Sequence, residues 1–142
     1  GGMWLIDPFD LVIDSTIAAN ISIALQSGQN VTLTTALETN TINTDPATTT
    51  TGTSGVGNIT LNAAISSSGD GDLTLTAANN IYINAAVTLS GTDSGIALEG
   101  VAIYLGANIT TTWSASKGAR AAKTVAPCAV RRTIAASGAA CI

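Results

Sequence analysis

Histidine is absent from this sequence, and charged residues are scarce. Of the 142 residues, 10 % are charged, against roughly 25 % in an average soluble domain. Histidine is the commonest general base and the commonest transition-metal ligand, so its absence removes both roles at once. Serine and threonine abound, but a serine nucleophile needs a base beside it. We therefore predict a protein without catalytic residues, a metal site or a cofactor.

Cations are missing from most of the chain. All nine acidic residues lie within residues 1–112, and all five basic residues lie within residues 113–142, giving charges of −9 and +5. Nucleic-acid binding depends on Lys and Arg neutralising phosphates, so we predict no nucleic-acid partner. No apolar run approaches the roughly 18 residues of a membrane span, which predicts no membrane insertion. The basic-then-apolar pattern of a signal peptide is not visible.

The composition changes after residue 112. Residues 113–142 hold both cysteines, Cys128 and Cys141, and residues 114–123 show no strand-like alternation. The two cysteines match neither zinc-site spacing nor a redox Cys-x-x-Cys motif, so they assign no cellular compartment. We treat residues 1–112 as one domain. The basic tail that follows is disordered, caps the domain, or derives from a shifted reading frame.

A short sequence motif recurs three times at constant spacing. It occupies residues 58–65, 80–87 and 102–109, with apolar residues alternating with polar or small ones. Constant spacing of this length is typical of stacked supersecondary units. At about 3.3 Å per extended residue, one repeat spans roughly 70 Å, which suits one turn of a solenoid. The predicted inward residues are Ile59, Leu61, Ile65, Ile81, Ile83, Val87, Ile103, Leu105 and Ile109.

We therefore predict an all-β fold, a parallel β-helix (β-solenoid) with about 22 residues per turn. An antiparallel sandwich also uses short alternating strands, but that fold does not require a sequence motif repeated at constant spacing. Only Ile17–Leu25 has a helical pattern. The threonine-rich residues 48–55 explain why Val31 and Ile59 lie too far apart for one repeat, and we predict a loop there. The predicted strands are Leu11–Ile13, Val31–Thr34, Ile59–Leu61, Leu73–Leu75, Ile81–Ile83, Ile96–Leu98 and Ile103–Leu105.

Tyr82 and Tyr104 occupy the same outward position of adjacent repeats. In a β-helix they would stack on neighbouring turns, with Thr60 at the equivalent position one turn beyond them. An exposed aromatic pair could hold a sugar ring, although such pairs more often support the sheet itself. We therefore carry Tyr82 and Tyr104 forward as a candidate ligand platform.

Three further motifs have simpler structural interpretations. The segment 68–72 contains two aspartates, each preceded by a glycine, but lacks further calcium ligands, which favours a tight turn in which glycine and aspartate tolerate positive φ. Thr74 and Thr76 would begin an ice-binding array, but the next repeat has Ala97 and Glu99 there. Four asparagines match the N-glycosylation pattern, which also arises where a turn asparagine precedes an Ile-Thr strand. They are Asn20, Asn30, Asn58 and Asn108.

Three phrases make the chain similar to a known family. They are Trp4-Leu-Ile-Asp-Pro-Phe-Asp-Leu, Ala77-Ala-Asn-Asn-Ile-Tyr-Ile-Asn-Ala-Ala86 and Gly57-Asn-Ile-Thr-Leu-Asn. This wording resembles the filamentous-haemagglutinin-like exoproteins of bacterial two-partner secretion, which include the high-molecular-weight adhesins, over about residues 3–112. The resemblance implies a right-handed β-helix, extracellular or on the bacterial surface, forming a stalk or adhesive fibre. No secretion domain of that family is visible, which favours an internal repeat region.

We therefore expect a non-catalytic structural or adhesive segment of an exported bacterial surface fibre. Its partner would be a host or cell-surface glycan or receptor. A carbohydrate-binding β-solenoid module is one alternative. Another is a self-assembling fibre subunit that stacks end to end, because an uncapped solenoid exposes unpaired strand edges at both ends.

Overall fold

The computed structural model describes residues 9–37, 39–43, 48–92 and 94–111, together with the backbone of residues 123–125 and 128–135. The phrase at residues 4–8 and Cys141 lie outside the described residues. In chain order the elements are β1 (Phe9–Ile13), α1 (Ser15–Gln26), β2 (Val31–Thr34), β3 (Thr39–Ile42), β4 (Thr48–Thr51), β5 (Thr53–Ser54), β6 (Ile59–Leu61), β7 (Ile65–Ser67), β8 (Leu73–Thr76), β9 (Asn80–Ile83), β10 (Val87–Leu89), β11 (Ile96–Leu105), β12 (Ile109–Thr111), β13 (Lys123–Val125) and β14 (Cys128–Ala135).

The repeats lie strand on strand in parallel. Strands β6, β9 and β11 bring Ile59, Ile81 and Ile103 into register, and β7, β10 and β12 pair in the same way. The second strand of each repeat also pairs in parallel, since β8 and β11 align Leu73 with Ile96. The predicted strands are therefore confirmed. The spacing of the sequence repeat equals the separation along the chain between the residues that pair.

Apolar alternation places the core between the sheets. In a strand, successive side chains point to opposite faces, so every second residue of the repeat faces inward. All nine residues predicted to face inward are buried, none more than 4 % exposed. Most are β-branched, which suits a pleated and buried surface.

The architecture is all-β, but its sheets are mixed and curl into a half-barrel. Antiparallel partners join at the ends of the stack: β5 pairs with β1, β14 with β11 and β13 with β12. No further repeat lies on the outer side of these end strands, so either a parallel or an antiparallel strand can form hydrogen bonds with their outer backbone groups. The all-β prediction is confirmed, whereas a purely parallel arrangement is not what the chain adopts.

The threonine-rich insertion is not the loop that the sequence predicted. Residues 48–51 form β4, which pairs antiparallel with β3, and residues 53–54 form β5 against β1. Threonine is β-branched and favours extended backbone, so a run of threonines pairs readily once a partner strand lies beside it.

The first coil has a different phase from the predicted one. Val31 pairs with Leu73 rather than with Ile59, and Leu11 is the residue that pairs with Ile59. Alternation marks a strand but does not identify which strand of a coil it is. This is why the predicted position of Val31 is wrong.

Helix α1 forms where the sequence predicted a helical pattern. The Asp14 side chain caps its first turn by accepting a hydrogen bond of 2.9 Å from the Ile17 amide, as N-cap residues do. Ala18, Ile21, Ala24 and Leu25 form its buried face, and Gly28 follows with φ of +86°. Among the described residues, no helix is long and apolar enough to cross a membrane.

Candidate functional site

The candidate ligand platform lies on the outward face of the sheet that contains β1, β6, β9 and β11. The pairing register aligns Val12, Thr60, Tyr82 and Tyr104 in one row across these four strands. Each lies between two inward residues, so the alternation that builds the core also aims this row at solvent. Val12 and Tyr104 are exposed, while Thr60 and Tyr82 are half-buried.

The two tyrosine rings stack face to face. Their centroids lie 5.1 Å apart and their planes differ by 9°. The Asn80 side chain donates a hydrogen bond of 3.2 Å to the Tyr82 hydroxyl. The structure therefore brings together the two residues that the sequence paired. Each ring, however, turns one face to the other, so together they offer a sugar only the outer face of each ring and not a wide platform.

A ladder of side-chain amides and carboxylates runs beside the tyrosine row. The Asp10 Oδ1 atom accepts hydrogen bonds from the amides of Gly57 at 3.1 Å and Asn58 at 2.9 Å. The Asn58 Oδ1 atom in turn accepts from the Asn80 amide at 3.0 Å and from Asn79 Nδ2 at 2.9 Å. These groups are engaged in joining one coil to the next.

This ladder was not among the features predicted from the sequence. Its signal was present, because asparagine recurs at equivalent positions of consecutive repeats. A second pair confirms the pattern, since Asn84 Nδ2 donates to Asn62 Oδ1 at 3.1 Å from one repeat to the next. Identical amides at one position of successive turns can hydrogen-bond along the stack.

The four asparagines of the glycosylation pattern do not form one surface. Asn58 belongs to the ladder, and Asn20 lies within α1. The Asn30 Oδ1 atom accepts a hydrogen bond of 2.9 Å from the Asp72 amide. Asn108 is exposed immediately before β12. Of the four, Asn30 and Asn108 are exposed, and Asn20 and Asn58 are half-buried.

Close packing explains the glycines of the segment 68–72. A Cβ atom at Gly69 would lie 2.3 Å from the Gln26 carbonyl oxygen, and one at Gly71 would lie 2.2 Å from that of Gln29. Among the described glycines, positive φ occurs at Gly28 and Gly57, so close approach of the backbone rather than positive φ accounts for Gly69 and Gly71. No group of three or more Cys, Asp or Glu side chains suited to a metal occurs in the part of the chain that the structure describes.

The threonine pair of β8 has a neighbour that the sequence concealed. Strand β2 places Thr32 beside Thr74 and Thr34 beside Thr76, although the two strands lie far apart in the chain. On the other side of β8, β11 supplies Ala97 and Glu99. The array of threonine hydroxyls therefore extends over two strands, β2 and β8, and ends at β11, as the sequence predicted.

A shallow depression of about 370 Å³ lies between α1 and β7. Its lining residues are Ser22, Ile23, Gln26, Ser27 and Ser66. They offer hydroxyl, amide and methyl groups but no acid or base. In this depression a bound molecule would find hydrogen-bonding partners and no group for proton transfer.

Comparisons of the chain with protein-family models, with curated proteins and with solved structures found no match. The similarity of residues 57–62 and 77–86 to filamentous-haemagglutinin-like proteins therefore stays a prediction. What the fold defines directly is a stack of repeated strands with an aromatic and amide-rich outward face.

Proposed function

We propose that this protein is a non-catalytic structural or adhesive segment of an exported bacterial surface fibre. Its repeat region would be a right-handed parallel β-helix that extends a stalk and presents its outward face to a host or cell-surface glycan or receptor. One observation carries the proposal: equivalent residues of three successive repeats pair in parallel and in one constant register. A stack of this kind grows by about 4.8 Å for each added turn.

The side-chain chemistry of the stack supports a mechanical role. Its interior is a set of apolar rows, and its exterior joins coil to coil through amide ladders such as that of Asn58 and Asn80. Residues 9–111 carry no cation, so no pair of opposite charges assembles a reactive site there. Such a surface suits neutral, hydroxyl-rich partners more than charged ones.

Deleting one whole repeat tests the β-helix. Removing residues 66–87 joins Ile65 to Thr88, which leaves every inward position inward. We expect this variant to fold and to unfold cooperatively, with the strand signature retained in circular dichroism. Removing residues 66–86 is the matched control, because one residue fewer turns the following alternation to the opposite face. If both variants fold equally well, the repeat is not the unit of the stack.

Adhesion is tested separately. Microspheres coated with the full chain should bind cultured host cells more strongly than microspheres coated with albumin. Treating the cells with glycosidases distinguishes a glycan from a protein receptor. Coated and control microspheres that bind equally would contradict the adhesive role.

Carbohydrate binding by the tyrosine row is a second candidate function. It is favoured by the exposure of Tyr104, which is 41 % accessible although its ring stacks on Tyr82. Aromatic faces bind sugars by covering their apolar side, and an outer tyrosine face offers that surface. Glycan-array binding should be lost in Tyr104→Ala and kept in Thr60→Ala. Binding that survives Tyr104→Ala would exclude this row as the site.

A further inference from the structure

The last repeat ends the stack at a strand edge that pairs with a segment outside the repeats. On one side β11 pairs in parallel with β8 and β9. On the other side it pairs antiparallel with β14, from Ala97 opposite Ala135 to Leu105 opposite Cys128. Strand β12 is likewise held between β10 and the antiparallel β13. The outer hydrogen-bonding groups of both strands are thus satisfied by a segment that is not a repeat.

The covering segment differs from the stack in charge as well as direction. Residues 123–135 contain Lys123, Arg131 and Arg132, whereas residues 9–111 contain no cation. Backbone hydrogen bonds do not depend on side-chain identity, so an antiparallel strand from another chain could make the same ladder. A register shift between Gly100 and Ala102 already interrupts the present pairing.

Other edges of the stack are guarded by a short strand, a helix and side chains. Strand β5 pairs with β1 at Phe9 and Asp10. Helix α1 lies where a strand would otherwise pair with β7, and its side chains bind the amides of that edge: Ser66 N donates to Ser22 Oγ at 3.2 Å, and Ser68 N donates to Gln26 Oε1 at 2.9 Å. The free edge of β2 is met by Asn40, whose side chain binds both the amide and the carbonyl of Thr34. A strand edge guarded by side chains and a helix does not template another chain.

We propose that the edge formed by β11 and β12 is an association surface for a second copy of this chain, and that β13 and β14 cover it in the monomer. A two-fold axis brings β11 against its own copy antiparallel, so this contact uses the same edge of both chains and closes as a pair. Stacking into a fibre would need both ends open. The proposal is independent of the adhesive role.

Charge sets the condition for this association. Two repeat regions of −9 each repel one another once β13 and β14, which contain Lys123, Arg131 and Arg132, have left the edge. Added salt screens such repulsion, because the Debye length falls from about 30 Å at 0.01 M to about 3 Å at 1 M. The pair should therefore form more readily at high salt, which is the opposite of an association driven by attraction between charges.

The test displaces β14 in the full chain. Val130→Pro with Ile134→Pro removes two backbone donors and disfavours the strand, while Val130→Ala with Ile134→Ala keeps those donors and is the matched control. Sedimentation velocity over a range of protein concentration and salt should give a dimer for the proline variant at high salt, and monomers for the alanine control. A folded proline variant that stays monomeric overturns the proposal. Open-ended polymers would overturn the closed pair.

A second variant serves if the proline chain does not fold. Glu99→Cys with Thr133→Cys, in a background of Cys128→Ser and Cys141→Ser, places two thiols opposite each other across β11 and β14. The oxidised form should stay monomeric, and the reduced form should associate at high concentration and high salt. Equal association of the two forms would overturn the proposal, because the edge would then have no part in it.

Discussion

The hydroxyl of Thr35 joins the first coil of the stack to the second. Its Oγ1 atom donates to the Gly57 carbonyl at 3.0 Å and accepts from the Ala78 amide at 2.7 Å. Thr35 itself is fully buried. This side chain thus adds to the backbone hydrogen bond from Thr35 N to the Thr76 carbonyl, 3.1 Å long, at a corner where the β3–β4 insertion interrupts the repeat.

Replacing Thr35 with valine should destabilise the fold. The change keeps the volume but removes two hydrogen bonds, the buried one to the Gly57 carbonyl and the part-buried one from the Ala78 amide, so we expect a loss of about 1–3 kcal/mol of unfolding free energy. Thr32→Val, at an exposed position of β2, should change stability by less than about 0.5 kcal/mol. Urea unfolding of both variants measures the difference. Equal effects would show that the corner bond does not hold the coils together.

Thr111→Val should have the opposite effect. Thr111 is fully buried on β12, and its Oγ1 atom has no hydrogen-bond partner in the described structure. Valine removes the unpaired hydroxyl at nearly constant volume, which should add about 1 kcal/mol of stability. The same change at the exposed Thr88 of the same sheet is the control and should be close to neutral. Thermal and urea unfolding would both reveal the gain, and a loss at Thr111 would mean that its hydroxyl is bonded.

Gly91→Ala should disturb the stacking of successive turns. A Cβ atom there would lie 2.0 Å from the carbonyl oxygen of Gly69, in the turn one repeat earlier. Backbone cannot move aside as a flexible side chain can, so we expect a loss of about 1–3 kcal/mol or misfolding. At Gly106 the corresponding distance, to the Ile83 carbonyl, is 3.2 Å. Gly106→Ala should therefore be clearly milder in the same unfolding experiment.

The stacked tyrosines should stabilise each other. A double-mutant cycle of Tyr82→Ala and Tyr104→Ala should give a coupling energy of about 0.5–1 kcal/mol, as expected for cross-strand aromatic pairs. The pair Thr60→Ala and Tyr104→Ala, two strands apart, should be additive. A coupling energy near zero for the tyrosines would leave ligand binding as the better explanation for the two rings.

Much of the candidate site followed from the repeat alone. The position of Tyr82 opposite Tyr104 was predictable because equal phase in a stacked repeat means adjacency in space. The orientation of the rings was not predictable, since it depends on side-chain torsions and on the hydrogen bond from Asn80. The amide ladder of Asn58 and Asn80 was accessible in principle, because it too obeys the repeat.

The parts that do not repeat were harder to place. The helical pattern of residues 17–25 predicted α1, but nothing in it indicated that the helix would lie beside β7 and bind the amides of that edge. The partner of Val31 was misplaced for the same reason, since Leu73 lies beyond the β3–β4 insertion and no repeat connects the two. The antiparallel pairing of β14 with β11 joins two segments that share no pattern at all.

By itself, the sequence determined the main strands of the repeats, their inward rows and the register between repeats, because alternation and spacing are local and are repeated three times. The tertiary structure alone decided what lies at each end of the stack. Backbone hydrogen bonds at an edge accept a helix side chain, a parallel strand or an antiparallel strand alike. The choice between them is made by the shape and chemistry of whatever the chain brings to that edge.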